Sequence, residues 1–91
     1  MPQRDVVIGS TVGLHARPAA LFVQAATATG IAVTIGKPGG EPVNARSILS
    51  VLSLDVRGGE QVTLSADGEG ADAALDSLVA LLLVDHDAAE V

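Results

Sequence analysis

Hydrophobic residues follow two periodicities along this chain. Alternation with polar residues at every second position is typical of a half-buried strand, and recurrence at three and four positions is typical of an amphipathic helix. Strands are predicted at residues 4–8, 31–35, 41–44 and 61–66. Helices are predicted at residues 16–28, 48 to about 54 and about 71–84. The pattern therefore predicts the element order βαββαβα.

Each predicted element has one face that suits a common core. The inward positions of the strands are Ile31, Val33, Ile35, Val62, Leu64 and Ala66. Those of the two long helices are Ala19, Phe22, Val23, Ala26, Ala71, Ala74, Leu75, Leu78, Val79 and Leu82. Four strands in one sheet with the helices on one face make a two-layer α+β domain. We expect a single domain over residues 1–91, with an ordered core at about 3–84 and a frayed polar tail at 85–91.

Proline and glycine residues delimit these elements. Pro18 is acceptable only in the first turn of a helix, so the first helix must begin close to His15. Gly30 is expected just beyond the end of that helix. Residues 37–40 are a strong turn signal between two strands of a hairpin. Pro42 indicates that the returning strand lies at the edge of the sheet.

Composition narrows the range of partners. Hydrophobic residues make up 48% of the chain, and Phe22 is the only aromatic residue, so the core is aliphatic and platforms for stacking bases are absent. The net charge of −6 disfavours nucleic acid and anionic membranes as partners. The chain has no cysteine, which excludes disulfides and thiolate metal sites. The longest apolar run, residues 78–84, is too short to span a membrane and no secretory segment is evident, so we expect a soluble cytoplasmic protein without membrane insertion.

Candidate chemistry is concentrated in residues 13–19. His15 stands at the predicted start of the first helix, where backbone N–H groups without partners carry partial positive charge and bind anions. Neutral imidazole is a nucleophile near pH 7, so a histidine at this place is suited to carry a phosphoryl group as well as to bind one. The backbone N–H groups of Ala16 and Arg17 would hold the phosphoryl oxygens, and the guanidinium of Arg17 would offset their charge.

The residues also allow simpler interpretations than phosphoryl transfer at His15. A single histidine before a helix is usually a solvated surface residue or a weak cap. His86, the only other histidine, is expected in the solvated tail and forms no metal site with His15. The turn that contains Asp67 and Glu69 lacks the number of ligands that a calcium loop needs. We therefore expect no metal and no cofactor.

Two segments resemble a known family. Gly13-Leu14-His15-Ala16-Arg17-Pro18-Ala19 and residues 43–54, within the order βαββαβα, resemble HPr, the histidine-containing phosphocarrier of the phosphoenolpyruvate-dependent sugar phosphotransferase system. The resemblance covers about residues 3–84. It implies an open-faced β-sandwich, in which four antiparallel strands carry three helices on one side. It also implies that His15 accepts a phosphoryl group from enzyme I on Nδ1 and passes it to the IIA components of sugar permeases, with Arg17 as the active-site arginine.

A carrier of this kind is a transfer intermediate that needs partner enzymes for both half-reactions. Two alternatives remain open. One is an HPr-like carrier that serves a regulatory branch, and the other is an interaction module that binds a regulator without carrying phosphate. An independent phosphohydrolase is disfavoured, because the motif places no second acid or base near His15. We expect the protein to act as a monomer.

Apolar residues crowd the short helix that follows Ser47. One face of a helix cannot bury all of them, and an exposed apolar patch marks a partner surface. In the HPr family this helix docks on enzyme I and on IIA domains, so we assign Ile48, Leu49 and Leu52 to a docking surface. The alternative is that Ile48, Val51 and Leu54 belong to the core and that the other positions are incidental.

Ser47 itself has two interpretations. Serine is a preferred residue at a helix N-cap, and this role alone accounts for its position. In the HPr family, a serine at the matching place is phosphorylated by a dedicated kinase in many Gram-positive bacteria. Phosphate at a helix N-terminus is tolerated, so the added charge would hinder docking on an acidic face of enzyme I without unfolding the helix.

Three features depart from the family pattern. Val12 stands where Asn, Ser or Thr is frequent, and Asp55 stands where glycine is common. The hairpin at residues 37–41 is about one residue longer than in many members. None of the three is expected to touch the two active-site residues. Ser10 and Thr11 are the candidates to replace the polar support that is lost at Val12.

Overall fold

The computed structural model describes residues 2–84, so the predicted tail and His86 lie outside the described residues. Its elements, in chain order, are β1 (Gln3–Val7), α1 (Ala16–Ala28), β2 (Val33–Gly36), β3 (Val43–Asn44), α2 (Ile48–Ser53), β4 (Gln61–Ala66) and α3 (Ala71–Leu83). The predicted order βαββαβα is confirmed.

The strands form one antiparallel sheet in the order β1-β4-β2-β3. β4 is central, with Val62 opposite Val6 on one side and Leu64 opposite Ile35 on the other. β2 and β3 form the expected hairpin, and β3 lies at the sheet edge as Pro42 indicated. The sheet thus brings the two chain segments that flank β4, at residues 55–60 and 67–70, to opposite ends of the domain.

β1 and the end of β2 differ from the predicted bounds by one residue, and the starts of β2 and β3 differ by two residues for local reasons. β2 begins at Val33 instead of residue 31, because the N–H of Ile31 donates to Thr29 Oγ1 at 3.3 Å in the segment that leaves α1. β3 is reduced to two residues, because Pro42 has no N–H to give to the ladder. The end of α1 is as predicted: Gly30 follows the C-cap and has a φ of 74°, which glycine adopts without strain.

The core lies between the sheet and the helices and is aliphatic except for Phe22. The fully enclosed side chains include those of Phe22, Leu14, Ile35, Leu64, Leu75 and Leu78. The predicted inward positions of β4 are all buried, as are Leu75, Leu78 and Leu82 on α3. Ile31, Val23, Ala74 and Val79 are only half-buried, since they lie at the margin of the core. The predicted α+β architecture, an open sheet with three helices, is confirmed.

Two loops near the start of α1 are joined through backbone hydrogen bonds. The N–H of Ile8 donates to the carbonyl of Glu60 at 2.9 Å, and the N–H of Leu14 donates to the carbonyl of Val56 at 2.9 Å. These bonds hold residues 8–15 against residues 55–60 and fix the approach of the chain to α1. In the part of the chain that the structure describes, no helix has the length and apolar character to cross a membrane.

Candidate functional site

His15 is the N-cap residue of α1. Its backbone is extended (φ −130°, ψ 161°), and its side chain makes no capping hydrogen bond. The imidazole is 38% exposed. The imidazole therefore does not cap the helix through a hydrogen bond, and the ring is left accessible to a partner molecule.

The first turn of α1 is shaped to receive an anion. Ala16 has a φ of 49°, in the left-handed region, and the helical residue Arg17 follows it. A left-handed residue next to a right-handed one turns successive backbone N–H groups into a concave anion-binding surface. The first turn also contains no acidic residue that would repel an anion. This geometry supports the predicted use of the N–H groups of Ala16 and Arg17.

Arg17 occupies the second position of α1 and is exposed. Pro18 follows it and is buried, which anchors the first turn on the core while the preceding residues face solvent. The guanidinium is planar and has five N–H donors, so it is suited to bind two phosphoryl oxygens at once. Arg17 thus places an exposed cation in the same first turn of α1, two residues after His15.

Asp55 lies in contact with the imidazole. The prediction that it does not touch the active-site residues is wrong, because its Oδ1 is 3.4 Å from Nε2 of His15. Asp55 follows the C-cap of α2 and has a φ of 51°. The left-handed conformation explains why glycine suits this place. The contact with His15 depends on the packing of α2 against α1, which no local sequence pattern reports.

A small network of charges fixes the segment that contains Asp55. Lys37 Nζ donates to the backbone carbonyl of Asp55 at 3.1 Å and lies 3.3 Å from Glu60 Oε2. The N–H of Arg57 donates to Glu60 Oε1 at 2.8 Å. That backbone hydrogen bond, together with Lys37, lowers the pKa of Glu60 below its ordinary value. The hairpin residue Lys37 therefore ties the end of β2 to the loop next to His15.

Ser10 supports the loop before His15 from inside. It is buried, and its Oγ accepts a hydrogen bond from the N–H of Val12 at 3.3 Å. Its hydroxyl thus stabilises the turn at residues 10–13, while the side chain of Val12 is 47% exposed. Ser10 was expected to replace the polar support that is lost at Val12, and the hydrogen bond it makes is to the backbone of the loop.

The short helix α2 exposes part of its apolar surface. Ser47 is its N-cap, as predicted, and Ser47 Oγ accepts from the N–H of Ser50 at 3.4 Å. Leu49 is 77% exposed and Ile48 is 39% exposed. The alternative that placed Ile48 in the core is therefore wrong. Val51 is the buried residue of α2, and Leu52 is half-buried against the core.

The exposed side of α2 and the imidazole lie close together. α2 packs against α1, and the chain reaches Asp55, the residue that contacts His15, two positions after α2 ends. Six helical residues span about 9 Å. A protein bound to Leu49 is therefore within reach of His15. Within residues 2–84, no cluster of three His, Asp or Glu side chains is arranged to hold a metal ion.

Comparison with known proteins agrees with this geometry. The family model described as "PTS HPr component phosphorylation site" matches residues 2–83. The phosphocarrier protein HPr of Streptomyces coelicolor is 56% identical over 82 residues, which cover 90% of this chain and 88% of that protein. The HPr-like protein Crh of Bacillus subtilis is 46% identical over 80 residues, which cover 88% of this chain and 93% of Crh.

A solved structure shares the fold as well. The crystal structure of HPr from Bacillus anthracis superimposes with a TM-score of 0.84 at 40% sequence identity, and the match covers 89% of this chain and 95% of that one. The family model spans both segments that carried the resemblance and nearly all of the described fold. From its sequence, its fold and these relatives, the chain belongs to the HPr family of phosphocarrier proteins of the phosphotransferase system.

Proposed function

We propose that this protein accepts a phosphoryl group from enzyme I on Nδ1 of His15 and delivers it to the IIA components of sugar permeases. The observation that carries the proposal is the exposed imidazole of His15, placed at an α1 N-terminus whose first N–H groups are turned to receive an anion. Nε2 faces Asp55, so Nδ1 is the nitrogen left for a second partner. The protein is a carrier between two partner proteins and acts in the cytoplasm, where both half-reactions take place.

The chemistry at His15 is a pair of displacements. In the first, the lone pair of Nδ1 forms a bond to phosphorus, and the bond between phosphorus and the donor breaks with its electron pair on the donor. In the second, a nucleophile of the acceptor attacks phosphorus and the electron pair of the N–P bond returns to Nδ1. Backbone N–H groups of the first turn and the guanidinium of Arg17 stabilise charge on the phosphoryl oxygens during both steps.

Reconstituted transfer tests the proposal. The protein is incubated with phosphoenolpyruvate and catalytic enzyme I, then with a IIA domain, and the phosphoryl group is followed by intact mass on each protein. We expect one acid-labile phosphoryl group on this protein, which disappears as the IIA domain gains one. A protein that stays unmodified under conditions that label a known carrier would contradict the proposal.

Replacing Arg17 by alanine is expected to slow both half-reactions by about ten-fold to a hundred-fold, because one preorganised charged donor is lost from the transition state. Arg17→Lys keeps the charge but loses the planar fork, so we expect an intermediate rate. Arg17 is exposed, so the melting temperature of both variants should stay within a few degrees of the wild type. Quench-flow rates equal to the wild type in both directions would exclude the proposed role of Arg17.

The docking surface is assigned to Ile48, Leu49 and Leu52, as the resemblance implies. Its strongest support is the exposure of Leu49, which has no role in the core. Ile48 adds to the same exposed surface, and Leu52 contributes its accessible edge. A partner protein that covers these side chains removes apolar area from water and lies next to His15.

Leu49→Ser is expected to raise the KM for enzyme I by about ten-fold and to leave kcat and stability unchanged, since truncating one well-placed interface side chain costs on the order of 1.4 kcal/mol. The matched control is Val7→Ser, because Val7 is also exposed but lies on the sheet face opposite the core. Val7→Ser should leave KM unchanged. Equal KM values in both variants and the wild type would remove Leu49 from the docking surface.

Ser47 is proposed as a site of regulatory phosphorylation by a serine kinase. It is half-buried at the start of α2, and its hydroxyl already accepts a hydrogen bond from that helix. A phosphate there would add negative charge beside Leu49 without opposing the helix dipole. The effect would be weaker docking on an enzyme I surface that carries acidic groups.

A carrier is favoured over an interaction module because a module has no need of an exposed histidine at an anion-binding helix end. A regulatory branch uses the same chemistry at His15 with a different acceptor, so the identity of the IIA domain that takes the phosphoryl group distinguishes the two. Action as a monomer is part of the proposal, since it leaves α2 and His15 open to each partner in turn.

A further inference from the structure

We propose that Asp55 is a positioning residue for His15, holding the ring proton on Nε2 and offsetting the positive charge that the imidazole gains when Nδ1 takes the phosphoryl group. The inference rests on the proposed function and deepens it. It starts from the 3.4 Å separation between Asp55 Oδ1 and His15 Nε2. A carboxylate at that distance favours the neutral tautomer with its proton on Nε2, because the hydrogen then lies on the nitrogen beside the negative charge.

The backbone of Asp55 is held from two directions. Its N–H donates to the carbonyl of Leu52 at 3.1 Å, at the end of α2. Its carbonyl accepts from Lys37 Nζ at 3.1 Å. The second carboxylate oxygen, Oδ2, lies 3.4 Å from a guanidinium nitrogen of Arg57. These contacts leave Oδ1 directed toward the ring of His15.

The conformation of Asp55 indicates a role other than stability. A φ of 51° is strained for a residue with a Cβ, and glycine would adopt it without that strain. Strained backbone of this kind is concentrated at functional positions. The carboxylate is therefore kept at the site at the expense of stability, and it is 3.4 Å from the reacting side chain.

The chemical consequence follows from which nitrogen carries the proton. Only the tautomer with hydrogen on Nε2 has a lone pair on Nδ1 that is able to attack phosphorus. As the N–P bond forms and the donor leaves with its electron pair, hydrogen stays on Nε2 and the ring becomes cationic. Asp55 stabilises that cation through the same contact, and the charge is lost again when the electron pair returns to Nδ1 during delivery.

The test compares Asp55→Gly and Asp55→Asn with the wild type. Long-range ¹H–¹⁵N spectra of the neutral ring report the tautomer of His15, and quench-flow with phosphorylated enzyme I reports the rate. For Asp55→Gly we expect more of the tautomer with hydrogen on Nδ1 and a rate about two-fold to five-fold lower, the range for a partly exposed charge pair. Its melting temperature is expected to hold or rise, because glycine relieves the strain. Asp55→Asn keeps an oxygen at this place but removes the negative charge. We expect it to retain the His15 tautomer with hydrogen on Nε2 and to transfer the phosphoryl group more slowly than the wild type.

Asp67→Asn is the matched control for net charge. Asp67 is exposed in the turn after β4. This turn lies near the C-terminal end of α1, and because α1 has 13 residues, that end is about 20 Å from His15. In Asp67→Asn, the tautomer signals of His15 and the rate of phosphoryl transfer should equal those of the wild type. If Asp55→Gly leaves both the tautomer of His15 and the transfer rate unchanged, the inference is overturned. It is also overturned if Asp55→Gly slows transfer and lowers the melting temperature while the tautomer stays unchanged. Because the tautomer is measured without phosphate, it tests Asp55 even if the wild type accepts no phosphoryl group and the proposed function fails.

Discussion

Replacing His15 by alanine abolishes phosphoryl acceptance while the fold is retained: this is the largest effect on activity that we expect. In the proposed transfer the imidazole supplies the atom that bonds to phosphorus, so no residual transfer through the site is available without it. The side chain makes no capping hydrogen bond, so its removal should change the free energy of unfolding by no more than about 0.5 kcal/mol. Intact mass after incubation with phosphoenolpyruvate and enzyme I measures the first effect, and thermal unfolding measures the second.

Two controls make the His15→Ala result specific. His86→Ala removes the other histidine of the chain and should leave acceptance unchanged. Binding of His15→Ala to enzyme I should persist, because docking is assigned to α2 and not to the imidazole. A phosphoryl group that still appears on His15→Ala would place the acceptor elsewhere.

Gly13→Ala is expected to have the largest effect on stability, about 3 kcal/mol of lost free energy of unfolding. A Cβ at Gly13 would overlap the carbonyl oxygen of Val56 and lie 2.7 Å from Cα of Arg57. The φ of 77° adds the strain of a left-handed side chain. The loop that contains Gly13 would have to move away from residues 56–57. This movement would also break the hydrogen bond from the N–H of Leu14 to the carbonyl of Val56, which helps to position His15. We expect a melting temperature lower by about 15 °C and slower phosphoryl acceptance at temperatures where the variant is folded.

Gly39→Ala separates the two causes of this effect. Gly39 has a φ of 78°, close to that of Gly13, but a Cβ there would meet nothing within 4 Å. Its loss of stability should be about 1 kcal/mol, from the strained φ alone. Equal losses in the two variants would show that the close approach of the two loops contributes nothing to stability.

The sequence was most informative where a residue has a local constraint. Proline is excluded from a helix interior, so Pro18 alone is enough to locate the start of α1 and to place His15 beside it. The alternation in β4 identified its inward residues for a similar reason, since a strand with one buried face has a strict period of two. The resemblance to HPr implies the roles that are proposed for His15 and Arg17, which spacing alone does not assign.

What the sequence did not predict depends on contacts between distant segments. The approach of Asp55 to His15 joins the end of α2 to the start of α1, across 40 positions of the chain. Lys37 reaches the same place from a hairpin that is remote from the site in sequence. The exposure of Ile48 depends on how α2 packs against α1. Periodicity could not predict it, because a six-residue helix has too few turns to define its buried face.

The central claim is that His15 carries the phosphoryl group on Nδ1. The most direct measurement is ³¹P and ¹H–¹⁵N NMR of the ¹⁵N-labelled protein after phosphorylation by phosphoenolpyruvate and enzyme I. We expect one phosphoramidate signal, a coupling of phosphorus to Nδ1 of His15, and a proton on Nε2 facing Asp55. A phosphorus signal coupled to Nε2, or one assigned to Ser47 or to any other residue, would contradict the claim.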